Sequence, residues 1–254
     1  MKRKILIIIS IIFMIIGISL FCFPHVSNFV YEQGVERDKE EFVEKVTRSE
    51  NEEVLDRLYK DLQEKNKILY KDMQNNLIDP FLYEQPAIDL SEYGIYNNVI
   101  GYINIPKMNI ELPILLGANS SNMLKGAVHL TETSYPIGGI NTNSVIAAHR
   151  GYGKASLFRN IEKLEVGDEI FIKNFKEELT YVVYDIKIIE PDNFDELKIQ
   201  EGEDIITLIT CHPYRINSHR YIIKAKKKEK SITNFFRNDF LFFSYLQVIH
   251  NICP

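Results

Sequence analysis

Cys211 ends the apolar, β-prone run "DIITLIT", and Arg220 opens the next such run nine residues later, with "HPYRINSH" between them. A cysteine attacks an acyl group as its thiolate, so it needs a base or a cation nearby and a donor for the developing oxyanion. Arginine stays charged and presents its donors in a fixed fork, which suits an oxyanion or a substrate carbonyl. If the two runs pair as an antiparallel hairpin, both side chains can leave one mouth of the sheet. A plainer use is open to each: Cys211 as a small buried hydrophobe, Arg220 as a surface charge at a strand end.

The base has to come from six histidines. His25 and His250 lie in peripheral segments, and His129 falls in an expected turn. His212 and His219 flank the hairpin loop, but a strand neighbour of Cys211 points to the opposite face. His149 ends the run "SVIAAH" and precedes Arg150 and Gly151. That is a strand-to-loop exit, where side chains become accessible. Position favours His149 among the six without excluding the others.

These residues need a scaffold, and from Tyr93 onward the chain supplies short β-rich runs. They include "VIGYINIP", "IELPIL", "NSVIAAH", "EIFI", "LTYVVYDIKIIEP", "DIITLIT" and "RYIIKA", separated by turn signals such as Pro106, Gly138-Gly139, Gly167-Asp168 and Pro191. Several short strands at this spacing predict a closed or nearly closed β-barrel rather than alternating strands and helices. "GKASLFRNIEKL", residues 153–164, reads as a short helix. Before the barrel, residues 32–75 are charged and free of proline, with Val54, Leu55, Leu58, Leu62, Ile68, Leu69 and Met73 at helical spacing. This predicts a stalk or helical hairpin beside the domain. "NNLIDPFLYEQP", residues 75–86, carries two prolines and reads as a loop.

The chain has 254 residues, 45% hydrophobic and 26% charged, the composition of a globular protein rather than a disordered one. A net charge of -5, with short basic clusters only, gives no reason to expect nucleic-acid binding. Lys2-Arg3-Lys4 precede "ILIIISIIFMIIGISLFCF", residues 5–23, which carries no charge. Nineteen residues at ~1.5 Å each span about 28 Å, close to the ~30 Å hydrocarbon thickness. The run ends in Phe-Cys-Phe-Pro-His with no small-residue cleavage site, so an uncleaved anchor is expected. The flanking basic residues place the N-terminus in the cytoplasm and the remainder outside the cell membrane. The expected divisions are an anchor over 1–24, a helical stalk over 25–74, a loop over 75–92, the barrel over 93–230 and an apolar tail over 231–254. The tail segment "FLFFSYLQVI" is too short to span a bilayer. An exported chain with one internal cysteine either pairs it, here with Cys253, or uses it.

"TLITC" at 207–211 with His219-Arg220 after it, "HRG" at 149–151, "TSYPIGG" at 133–139 and "ASLFRNIEKLEVGDEIFI" at 155–172 together resemble the sortases, the membrane-anchored cysteine transpeptidases of Gram-positive bacteria. The resemblance covers residues 95–225. It implies an eight-stranded sortase-type β-barrel and a catalytic triad of His149, Cys211 and Arg220. It further implies cleavage of an LPxTG-like sorting signal between Thr and Gly through a thioester on Cys211, and transfer to an amine. No metal or organic cofactor is implied. "IDPF" at 78–81 is similar to the lid of the class C, pilus-building sortases. On that likeness Asp79, Pro80 and Phe81 fold over the site, the aspartate facing Arg220 and the ring covering Cys211. The acceptor would then be a pilin lysine.

Two features depart from the class C pattern. Residues 231–254 look too short and too polar for a second membrane helix, and Asn143 stands where a further histidine is common. The rival readings are a sortase that anchors surface proteins to a peptidoglycan cross-bridge amine and a non-enzymatic membrane-tethered scaffold. A papain-like peptidase fits less well, because it places its cysteine at a helix N-terminus and ahead of the histidine.

Overall fold

The computed structural model describes residues 2–48, 51–72, 74, 76–81, 84–85, 89–95, 97–151 and 155–229. Two long helices come first, α1 (Lys2–Thr47) and α2 (Glu52–Lys71). The first differs from expectation in running unbroken through Pro24. Proline removes one helical hydrogen bond and crowds the preceding turn. That loss is local, and the continuation is fixed by Val35 and Phe42, which bury themselves in the hydrophobic core. α2 buries Leu55, Leu58 and Leu62 at helical spacing. The apolar residues of 5–23 are exposed on every side, and α1 contains a stretch long and apolar enough to cross a membrane.

Eight strands follow: β1 (Val99–Ile105), β2 (Ile110–Leu116), β3 (Ala127–His129), β4 (Thr142–Ala147), β5 (Glu169–Asn174), β6 (Glu178–Ile189), β7 (Asp204–His212) and β8 (His219–Lys227). They close into a barrel in the order β1-β2-β3-β4-β7-β8-β6-β5. β5 alternates half-buried and buried residues, as expected of a strand with one face to the core. β7 is buried on both faces as far as Cys211, because the segment joining β6 to β7 lies across it. There the Asn143 amide donates to the Leu197 carbonyl (2.9 Å) and accepts from the Thr207 hydroxyl (2.9 Å).

Strand direction sets what meets at each end. β3 runs parallel to β2, β4 antiparallel to β3, and β7 parallel to β4. One rim of the barrel therefore gathers the ends of β4 and β7 and the starts of β2 and β3. A short helix, α3 (Ser120–Met123), precedes β3.

Two local expectations change. Residues 155–164 form turns and a single 3-10 turn (Ile161–Lys163) instead of an α-helix. Leu157 sits at φ +42°, which breaks helical continuation, and the Phe158 amide turns back to the His149 carbonyl (3.1 Å). His129 ends β3 instead of lying in a turn. It is fully buried, with Nε2 against the Thr133 and Ser134 carbonyls (3.1 and 3.0 Å), and burial pulls its imidazole down to about 4. The tail over 231–254, with His250 and Cys253, lies outside the described residues.

Candidate active site

β7 and β8 pair with Cys211 directly opposite Arg220. Directly paired residues of an antiparallel ladder share a face, so the nine-residue spacing brings thiol and guanidinium together at the rim where β7 ends. His149 arrives at the same rim, two residues beyond the last residue of β4. A cavity of about 230 Å³ opens there, lined by His149, Arg150, Gly151, Cys211, Tyr214, Arg215 and Asn217. Cys211 is a buried free thiol. Gly151, at φ +85°, lets the chain turn past Arg159; a Cβ there would meet its Nε at 2.6 Å.

Asp79 and Phe81 reach the same rim. Asp79 forms a fork with Arg220, Nε donating to Oδ1 at 3.0 Å and Nη2 donating to Oδ2, both side chains 4% exposed. The third nitrogen, Nη1, donates to the carbonyls of Asn217 (3.0 Å) and His219 (2.9 Å). Every nitrogen of the guanidinium is thereby engaged. Pro80 is buried between the two functional neighbours. The Phe81 ring lies 6.2 Å from the His149 ring and 5.2 Å below the Arg220 guanidinium carbon. Its amide closes a turn on Asp79 Oδ1 (3.2 Å). The ring therefore contacts the two groups that flank the thiol.

Burial sets the protonation of the pair. It raises the Cys211 thiol above its ordinary value; the nearby Arg220 charge pulls it down and Asp79 pushes it back up. Burial lowers His149. Both shifts favour the neutral thiol and the neutral imidazole while the segment covers the site.

Arg150 was not singled out for any role by its place in the sequence. It is buried, and its guanidinium bonds His212 Nδ1 (2.7 Å), the Cys211 carbonyl (3.5 Å) and Glu162 (2.5 Å). It ties the exit of β4 to the end of β7 and so fixes His149 and Cys211 relative to each other. The adjacency of Arg150 to His149 was the available signal. Two of its three partners, Cys211 and His212, lie 61 and 62 residues away in the chain and were not visible.

A family model described as the sortase domain matches residues 103–228. Sortase A of Bacillus anthracis is 32% identical over 177 residues, covering 65% of this chain and 81% of that protein. Sortase D of Bacillus subtilis (strain 168) is 32% identical over 130 residues, covering 50% of this chain and 63% of its own. Among solved structures, sortase C1 of the Group B Streptococcus pilus island 1 superposes with a TM-score of 0.67 at 32% identity, over 80% of this chain and 93% of that one. Sortase C from Clostridium perfringens SM101 gives 0.63 at 35% identity, over 76% and 99%.

Proposed function

The chain belongs to the sortase family of cysteine transpeptidases, and from that premise we propose that it is a class C enzyme that builds pili by joining sorting signals to a pilin lysine. Cys211 is the nucleophile. Its sulfur attacks the threonine carbonyl of an LPxTG-like signal, the bond to the following glycine nitrogen breaks, and a thioester remains on the enzyme. His149 gives its proton to the leaving amine and later takes one from the incoming amine. That amine displaces the sulfur and forms the new amide. Arg220 holds the oxyanion and the substrate backbone. Residues 5–23 anchor the chain in the cell membrane, with Lys2, Arg3 and Lys4 on the cytoplasmic side.

The observation that carries the class C reading is the Asp79–Arg220 fork with Phe81 against His149. With four of its five N–H groups engaged, Arg220 has little left to offer an oxyanion. The covering segment therefore acts as a lid that must leave before catalysis. Structural neighbours named as pilus sortases support the class C reading. The names of the sequence relatives, Sortase A and Sortase D, favour a second reading in which the acceptor is a peptidoglycan cross-bridge amine.

The test is transfer of an LPxTG-like peptide to each acceptor, a lysine-bearing pilin segment or a cross-bridge amine, followed by mass spectrometry. Cys211→Ala should form no thioester, and Arg220→Ala should lose about 2–4 kcal/mol of transition-state stabilisation. Transfer by Cys211→Ala would overturn the assignment of the nucleophile. Preference for the cross-bridge amine would select the second reading.

A further inference from the structure

The contacts of α1 fix where the barrel stands relative to the end of the apolar run. Asn28 Oδ1 accepts from the Ser156 amide at 2.9 Å, the Tyr31 hydroxyl donates to the Lys125 carbonyl at 2.7 Å, and Lys39 pairs with Glu111 at 2.7 Å. Ser156 follows β4, Lys125 precedes β3 and Glu111 starts β2, so all three belong to the rim that carries Cys211 and His149. Asn28 is only five residues beyond Phe23. At ~1.5 Å per residue that is about 8 Å, roughly the depth of one headgroup layer. The face of α1 that carries Val26, Phe29 and Val30 is 58–64% exposed, so apolar surface continues one turn past the main run.

The rim beside this exit presents a matching surface. Arg159, three residues after Ser156, reaches the Tyr214 hydroxyl (3.2 Å) and stacks on its ring. Arg215 stacks on the same ring at 5.3 Å. Next to them Ile216 is 71% exposed and Tyr214 41%. An aromatic ring, an exposed aliphatic side chain and two guanidinium groups together are the composition that settles at a phospholipid interface.

We infer that the loop joining β7 to β8 rests on the phospholipid headgroups of the bilayer that holds α1, with Ile216 entering the interface and Arg159 and Arg215 facing lipid phosphates. The inference rests on the anchor reading above. Its consequence is that the Cys211 cleft opens along the membrane plane, toward sorting signals presented at the membrane surface.

The chain has no tryptophan, so single substitutions report on their own surroundings. Ile216→Trp tests the loop, Ile140→Trp the opposite rim, where an equally exposed residue precedes β4, and Ile12→Trp the anchor. The full chain is reconstituted into vesicles of phosphatidylglycerol and phosphatidylcholine, and quenching by brominated lipid is compared with quenching by aqueous acrylamide. Thermal melts confirm that each variant folds. We expect Trp fluorescence in Ile12→Trp and Ile216→Trp to be quenched by brominated lipid, and in Ile140→Trp by acrylamide alone. If Ile216→Trp behaves as Ile140→Trp while Ile12→Trp is lipid-quenched, the loop placement is overturned and the anchor stands. If Ile12→Trp is not lipid-quenched, the anchor reading falls and the placement with it.

Discussion

Arg220 and Asp79 neutralise each other beside a thiol that would otherwise feel an unopposed cation. Burial raises Cys211 most, Arg220 lowers it and Asp79 raises it. Removing Asp79 deletes one raising influence and, by releasing the lid, weakens the other through solvation. The thiol should then titrate at a lower pH. His149, lowered by burial, should move up as water enters. Both changes favour the thiolate–imidazolium pair. We therefore expect Asp79→Asn to shift the pH midpoint of Cys211 alkylation downward and to raise the rate below that midpoint, read by mass spectrometry of the peptide containing Cys211. A midpoint equal to the parent's would show that Asp79 does not govern the thiol. At this scale the sequence was most informative where partners lie close in the chain. Cys211 and Arg220 flank one hairpin, so their spacing made the pairing open to a sequence reading, and the ladder sets them opposite each other. Asp79 lies 141 residues from Arg220, and only a resemblance linked them.

On the proposed reading the covering segment is a lid, and it is held at both ends. Gln74, buried and at φ +50°, accepts from the Ile199 amide (2.6 Å) and donates to the Glu132 carbonyl (3.0 Å). Gln85 accepts from the Thr131 amide (2.9 Å), and its own amide donates to the Ala118 carbonyl (2.8 Å). Opening is then a flap between these two points, with α2 left in place. Gln74→Ala removes two partly buried hydrogen bonds, ~0.5–1.5 kcal/mol each, and loosens the leading end. The alkylation rate of Cys211 should rise several-fold with helix content unchanged; a rate equal to the parent's would exclude Gln74 as a clamp. The strands themselves were legible because alternation and β-branching are local signals. β3 was not, since three residues carry too little pattern. The helix expected over 153–164 failed on one backbone angle at Leu157, which no side-chain pattern announces.

Across the whole molecule, α1 and α2 are part of the barrel's core more than a stalk beneath it. Val35, Phe42, Leu55, Leu58 and Leu62 belong to the same hydrophobic cluster as the barrel interior. Asn66 brackets the backbone of Tyr135, accepting from its amide at 2.7 Å and donating to its carbonyl at 3.4 Å, and Tyr93 donates to Asp61 at 2.8 Å. The sequence predicts a stalk or helical hairpin beside the domain, and periodicity shows that a helix has an apolar face without showing how deeply it is covered. Stability tells the two arrangements apart. Truncating one buried leucine to alanine costs ~2–5 kcal/mol, and domains hold only ~5–15 kcal/mol in total. Removing residues 1–26 should leave the melting temperature unchanged, since the side chains of 3–26 are exposed. Removing residues 1–72 deletes five core side chains and should leave a chain that does not fold cooperatively. Leu62→Ala in the chain lacking only 1–26 should fall between, lowering the midpoint by several degrees for its ~2–5 kcal/mol. Equal melts for the two truncations, by calorimetry at matched pH and salt, would show that α1 and α2 add nothing to the stability of the barrel.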